Sequence, residues 1–348
     1  MNATVIICVY TLDRWDVMCR AVASVDAQDT PAELIVVVDH HDELLERARS
    51  AWPDHVVLAN RFEQGLSGAR NTGVFAASHD LIAFLDDDAV ARDGWLTGLL
   101  DPFADDGVGV TGGRIVPDWV GGVPRWFPDE FLWVVGCSYR GQPTTTAEIR
   151  NPIGASMAAR RQVFEQVGLF RSGVGRVGTV PLGGEETELS IRARDAGWRV
   201  MYEPSSVVDH EVGAGRGTVA YFRSRCSAEG RSKATISDVS GGSDALDAER
   251  SYATRTLPSG VLRRLLAGLT GPHRRDSLAQ AAMLVVGLAT TVFGYARGRF
   301  GRRGVDGAVE TTVMELPVGA HTTRPAPPTD PDTATDIAPP TGTLRAAT

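Results

Sequence analysis

Residues 4–9 (Thr-Val-Ile-Ile-Cys-Val) form a continuous β-branched and apolar run. With no polar alternation it offers no solvated face, which predicts a strand buried on both sides. Residues 34–38 and 81–85 repeat the pattern, and 55–59 do so more weakly. Helical periods fall between them, over about 15–27, 42–51 and 66–78. This alternation predicts a parallel sheet covered by helices, with ligands at the carboxyl ends of the strands. The stretch 107–170 is rich in Gly, Pro and aromatics, with short strands expected at 108–116 and 153–159. A helix is expected over 185–196, stopped at Gly197, and then a strand over 199–203. Residues 235–256 are polar and read as a loop.

The pattern changes beyond residue 261. Leu262, Leu265, Leu266 and Leu269 recur at helical spacing, with Arg263 and Arg264 on another face. Residues 278–295 then give eighteen positions whose only strongly polar side chain is Gln280. Arg274 and Arg275 precede them, and Arg297, Arg299, Arg302 and Arg303 follow. Eighteen helical residues reach about 27 Å, short of a bilayer core of about 30 Å. Attachment at the membrane interface is therefore expected over 261–303, in preference to a span. A helical pair packed on the preceding domain is the alternative. Residues 304–348 hold seven Pro among 45 positions with many Thr and Ala, a composition expected to be disordered.

Charge sharpens this division. The 348 residues carry 35 Lys+Arg against 43 Asp+Glu, a net charge of −8, which argues against a nucleic-acid partner. Residues 250–303 stand at +9, residues 304–348 at −4 and the first 249 at −13. An acidic body joined to a basic segment points to an anionic surface for that segment. Lys233 is the only lysine. Cys8, Cys19, Cys137 and Cys226 show no paired spacing, so no zinc or redox motif is indicated. The N-terminus opens on a strand-like run without a basic, apolar leader, so a cytoplasmic location is expected.

Several motifs carry candidate chemistry. Asp86-Asp87-Asp88 follows a buried strand; three adjacent carboxylates repel unless a cation neutralises them, and hard oxygens suit Mg²⁺ or Mn²⁺. A solvated acidic turn is the plain alternative. Asp39 ends another strand, where it can accept from a nucleobase or ribose, or cap the helix starting near His41. Gly65-Leu-Ser-Gly68-Ala-Arg70-Asn71-Thr-Gly73 opens a helix with room for close backbone approach and an Arg suited to diphosphate. Gly184-Glu185-Glu186-Thr-Glu188 opens a later helix, where acids favour the helix dipole or supply a general base. His210 could complete a metal site with the Asp cluster or be structural. Near-matches to Gly-x-Gly-x-x-Gly at 107–112, 173–178 and 213–217 follow no long buried strand and are discarded as a dinucleotide signature.

Taken in order, the motifs resemble family 2 glycosyltransferases of the GT-A fold. The resemblance covers about residues 3–233. It rests on Val5-Ile-Ile-Cys-Val-Tyr-Thr, Ser24-Val25 with Gln28, Asp39, Gly68-Ala-Arg70-Asn71-x-Gly73, Leu85-Asp86-Asp87-Asp88, Gly154-Ala-Ser-Met157-Ala-Ala-Arg160-Arg161 and Gly184-Glu185-Glu186-x-Glu188-Leu189. It implies an α/β GT-A catalytic domain over 1–234, a linker with membrane-associating helices over 235–303 and a tail over 304–348. Tyr10, Thr11 and Asp39 would hold the base and ribose of a nucleotide sugar, UDP-linked, with Arg70 and Asn71 near the diphosphate. Asp86 and Asp88 would form the Asp-x-Asp pair, with Asp87 beside it. Asp88 and His210 would face the metal, Mg²⁺ or Mn²⁺. Gly154, Ala155 and Met157 would border sugar and acceptor. Glu186 aligns with a catalytic base that is commonly Asp, which leaves Glu185 and Glu186 both open. The 221–234 stretch resembles a subgroup whose acceptors include polyprenyl-phosphate-linked glycans; the one Lys of the chain, Lys233, falls within it, which points to contact with a phosphate, with chance placement of a single Lys as the plain alternative. An inverting, metal-dependent transfer at the cytoplasmic face of the membrane is the resulting expectation. A nucleotidyltransferase or a non-catalytic nucleotide-sugar-binding protein are the competing readings.

Overall fold

The computed structural model describes residues 2–171, 184–240 and 252–301 of the chain. Its strands are β1 (Ala3–Val9), β2 (Ala32–Val38), β3 (Val56–Ala59), β4 (Leu81–Asp86), β5 (Ala89–Ala91), β6 (Val108–Trp119), β7 (Ala147–Glu148), β8 (Ser156–Arg160) and β9 (Arg199–Val212). They form one mixed sheet in the order β3-β2-β1-β4-β8-β6-β9-β5, with β7 beside β9. β1 to β4 are mutually parallel, and β8 runs antiparallel between β4 and β6.

The continuous apolar runs work as their pattern implies. Val5, Ile7 and Val9 of β1 join one core with Met18 of α1 (Trp15–Asp26) and Leu44 of α2 (Asp42–Ala51). Ile6 faces the other core, with Phe84, Ala69 of α3 (Leu66–Ala76), Val163 of α5 (Arg161–Val167) and Leu189 of α6 (Glu185–Asp195). Trp95 of α4 (Trp95–Leu100), fully buried, closes the first core near β9. Full burial of a Leu, Ile or Phe side chain stabilises by about 1.5–3 kcal/mol, so both faces of the sheet are paid positions.

β9 runs to Val212, far beyond the strand expected over 199–203. Pro204-Ser205-Ser206 reads as a turn, but the pairing with β6 passes from Gly113–Glu203 to Arg114–Val207. Residues 204–206 stand out of the ladder and the strand resumes.

The expected loop over 235–256 is corrected at both ends, while 241–251 lie outside the described residues. α7 (Val219–Ser240) continues through residue 240, and one π-helical turn spans Tyr252–Thr256. α8 (Leu257–Thr270) and α9 (Arg274–Gly301) follow. Both pack on the preceding domain. The glycines of α9 form the seam: a Cβ on Gly294 would collide with Ser227 O of α7, and one on Gly287 would lie 2.5 Å from Phe131. Glu130, fully buried, accepts from Arg264 at 2.8 Å and Arg263 at 2.9 Å. Gln280 accepts from Arg264 Nε at 2.8 Å and donates to Arg125 O at 2.8 Å, which explains a polar side chain within the apolar run. The outer face stays apolar and open, with Leu262, Leu266, Leu269 and Phe293 exposed. Arg274–Phe300 is long and apolar enough to cross a membrane by length and composition. The tail over 304–348 and the 173–178 glycine motif lie outside the described residues.

Candidate active site

The carboxyl ends of β1, β2 and β4 open into a cavity of about 1160 Å³, as the parallel half of the sheet dictates. At one end, Asp39 extends β2 and is pinned: its Oδ1 accepts from Asn60 Nδ2 at 2.6 Å and its Oδ2 from the Gly65 backbone at 2.9 Å. It thus ties the start of α3 to the sheet. The cap of α2 is His41 instead, whose Nδ1 accepts from Leu44 N at 3.2 Å. Tyr10 lines the same end, under the Arg14 guanidinium.

The acidic triplet sits at the centre. β5 turns back against β9 and sets Ala89 opposite His210, while Glu211 N donates to Asp88 O at 2.8 Å. This register brings His210 Nε2 to 3.1 Å from Asp88 Oδ1. Its other ring nitrogen lies 3.7 Å from Cys137 Sγ. Arg14 pairs with Asp87 at 2.8 Å and Asp88 at 3.2 Å, and Arg216 reaches Asp88 at 3.2 Å. Burial works against the Asp88 charge, but His210, Arg216 and Arg14 prevail and hold it well below the usual carboxylate range. Burial would lower His210, yet Asp88 raises it to about 10. Asp87 is pushed up to about 7 by burial and by Asp88, and its Oδ2 is buried without a hydrogen-bond partner.

Asp86, Asp88 and His210 each offer a ligand atom within 4.8 Å of the others. Two carboxylates and an imidazole suit Mg²⁺ or Mn²⁺, and a cation there would relieve the repulsion that now draws in two arginines.

Arg70 lies beneath this cluster, 2% exposed between the rings of Phe84 and Phe170. Its guanidinium contacts Asp86 at 3.3 Å, Glu185 at 3.2 Å and Gly154 O at 3.1 Å. Glu185 and Glu186 open α6 at the cavity wall. Glu185 Oε2 is buried without a partner. Glu186 is half-buried, and burial together with Glu185 pushes its carboxyl up to about 8. Ala155 accepts from Asp86 N through its carbonyl at 3.3 Å and lines the cavity with Gly154. Lys233 lines the far end, 3.6 Å from Glu229.

Three expected residues sit elsewhere. Thr11 caps the short 3-10 turn Leu12–Arg14 by accepting from Asp13 N at 3.2 Å. Asn71 is 1% exposed and its amide bonds both backbone groups of Phe170, at 2.9 and 3.0 Å. It clamps the chain behind Arg70 instead of facing the cavity. Met157 alternates away, into the core beside Phe84. Conversely, Arg14, Arg216, Asn60 and Cys137 build the site without having been expected. Arg216 lies within the discarded glycine stretch 213–217, and a cation six residues after a candidate metal-binding His was the signal available.

The model of glycosyl transferase family 2 matches residues 4–168. A glucosyl-dolichyl phosphate glucuronosyltransferase of Haloferax volcanii is 33% identical over 308 residues, which cover 86% of this chain and 96% of that protein. The chain belongs to glycosyl transferase family 2. This glycosyltransferase is also 25% identical over 230 residues to the succinoglycan biosynthesis protein ExoM of Rhizobium meliloti, covering 63% of the chain and 70% of that protein. Its fold matches the mannosyltransferase PcManGT from Pyrobaculum calidifontis, solved with GDP-Man and Mn²⁺, at a TM-score of 0.51 and 18% identity over 83% of this chain and 87% of that one. The GT-A architecture expected from the sequence is the one observed.

Proposed function

We propose that this glycosyltransferase moves a sugar from a nucleotide-sugar donor to a hydroxyl of a polyprenyl-phosphate-linked glycan, inverting the anomeric carbon. One observation carries the reading: a single cavity joins the Asp86–Asp88 and His210 cluster to the Glu185–Glu186 wall through buried Arg70. The Haloferax relative, whose name gives a dolichyl phosphate acceptor, supports the acceptor class.

In this reading Tyr10 and Asp39 border the nucleoside, and a UDP-linked donor is the first to test. Asp86, Asp88 and His210 would hold Mg²⁺ or Mn²⁺, which supplies positive charge to the leaving diphosphate when bound. Arg14 and Arg216, already neutralising the acids, stand ready to meet the diphosphate. Glu186 takes the proton of the acceptor hydroxyl as that oxygen bonds the anomeric carbon. The bond to the diphosphate breaks, and the nucleoside diphosphate leaves with the electron pair. A carboxyl raised to about 8 is, once ionised, a stronger proton acceptor than an ordinary carboxylate. Glu185 holds Arg70, and Gly154 and Ala155 border the sugar.

Residues 1–234 carry the chemistry in this reading, Tyr252, Leu257, Leu288 and Thr291 complete the cavity, and the helices of the 235–303 segment attach the enzyme at the cytoplasmic face. The exposed leucines of α8 and Phe293 of α9, flanked by arginines, fit an interfacial surface. Close packing of α9 on α7 and Phe131 favours attachment over a span. The test is Mn²⁺-dependent transfer from UDP-, GDP- and dTDP-sugars to a glycosyl phosphoprenol. Product is expected with at least one donor. Donor binding with neither transfer nor hydrolysis would defeat the reading.

A further inference from the structure

α7 carries two stripes. Phe222, Cys226, Gly230 and Ala234 recur every four residues and are buried or closely approached by α9. Tyr221, Arg225, Glu229 and Lys233 recur at the same interval and all line the catalytic cavity. The second stripe therefore sets two cations and one acid along the far wall, with Lys233 3.6 Å from Glu229. The apolar run of α9 meets this wall directly. Leu288 and Thr291 line the cavity, and Leu288 is also 36% exposed at its mouth. Val285 and Val292, one turn to either side of Leu288, are exposed. An apolar track thus runs from the open face of α9 to the edge of a basic wall inside the cavity.

We propose that Arg225 and Lys233 form a binding site for the phosphate of a lipid-linked acceptor, whose isoprenoid chain leaves the cavity over Leu288 and along Val285 and Val292. This rests on the acceptor class proposed above and assigns it a place. The basic pair and Glu186 of α6 line the same cavity, so a phosphate held at the pair leaves its sugar in the space that Glu186 borders. Glu229 holds Lys233 in the cavity until the phosphate arrives, and α9 becomes part of the acceptor site as well as a surface for the membrane. Arginine and lysine suit phosphate oxygens, while the track suits a hydrocarbon that would otherwise face water.

The test compares two acceptors that carry the same sugar, one on farnesyl phosphate and one on farnesol directly, with the full chain in neutral detergent. The wild-type enzyme should favour the phosphate-linked acceptor in kcat/KM by about tenfold or more, the scale of a charge-assisted contact. Lys233→Met and Arg225→Met should each bring the ratio of the two kcat/KM values toward one, mainly through KM, while Lys233→Arg keeps most of it. Loss of folded protein affects both acceptors alike and cancels in the ratio. A ratio unchanged in both Met variants overturns the site. So does a wild-type enzyme that uses both acceptors equally. A wild-type enzyme that binds and hydrolyses donor but uses neither acceptor overturns the lipid-linked reading itself. Weakened binding to phosphatidylglycerol vesicles with an unchanged ratio assigns the cations to head groups and also overturns the site.

Discussion

The guanidinium of Arg70 occupies the space that a side chain at Gly154 would need. A Cβ at Gly154 would fall 2.7 Å from Arg70 Nη2 and 3.1 Å from Nη1. Because Arg70 links Asp86 to Glu185, the absence of a side chain at 154 keeps the central acids and the α6 wall in one arrangement. Gly154→Ala is expected to push the guanidinium away and to lower kcat/KM by about a hundredfold, the cost of an ångström-scale misplacement in a catalytic site. Steady-state kinetics on folded protein checks this. Near-wild-type turnover would mean that Arg70 does not organise the site.

The two acids that open α6 should separate by substitution. Glu186→Gln removes the proposed base and should lower kcat by about 10² to 10⁴ while donor binding persists. Glu185→Gln leaves a hydrogen-bond partner for Arg70, so its smaller loss should come from Arg70 misplacement. Single-turnover rates with a native acceptor distinguish them. A larger loss for Glu185→Gln would exchange the two roles.

These distinctions mark where the sequence stops being readable. β1, β2 and β4 were legible because burial on both faces leaves an unbroken apolar run. The end of β9 was not, because Pro204-Ser205-Ser206 has the chemistry of a turn and stands outside the ladder without ending it. Asn71 looked like a ligand contact because an amide serves ligand and backbone equally well; only its two bonds to Phe170 decide. Arg14 and Arg216 were silent for another reason. A chain whose basic residues are nearly all Arg gives no contrast by which two functional ones stand out.

The Glu186 carboxyl predicts a pH dependence of stability. Its pKa is raised in the folded chain, from 4.5 to about 8. Between those values the folded state binds a proton that the unfolded state has released, so this group's contribution to stability falls as pH rises from about 4.5 to about 8 and is flat beyond. Glu186→Gln cannot release that proton. Its Tm should exceed the wild-type value by an amount that grows with pH across that window. Parallel Tm–pH curves for the two proteins would show that the carboxyl titrates alike in both states.

His210 and Asp88 face each other at 3.1 Å, with Asp86 close by. Replacing His210 by Ala removes the imidazole from the candidate metal cluster. The Mn²⁺ concentration for half-maximal activity should rise by about ten- to a hundredfold or more. Fluorescence-monitored Mn²⁺ titration of the apoprotein gives a readout independent of turnover. Unchanged Mn²⁺ affinity would remove His210 from the site.

Removing the C-terminal helices outright would test membrane attachment poorly. Residues 258–303 include Arg264, which neutralises buried Glu130, and Leu284, which is 1% exposed. Breaking a buried ion pair on one side costs about 3–5 kcal/mol, enough to unfold many domains. Substitution of the outer face avoids this. Leu269 is 69% exposed and Phe293 66%, so Leu266→Gln, Leu269→Gln and Phe293→Gln together remove apolar area without opening the core. The triple variant should keep a Tm within a few degrees of wild type and lose most of its co-sedimentation with phosphatidylglycerol vesicles. Retained sedimentation at unchanged Tm would exclude this face as the attachment surface. A large fall in Tm would show that the face is covered in the folded protein.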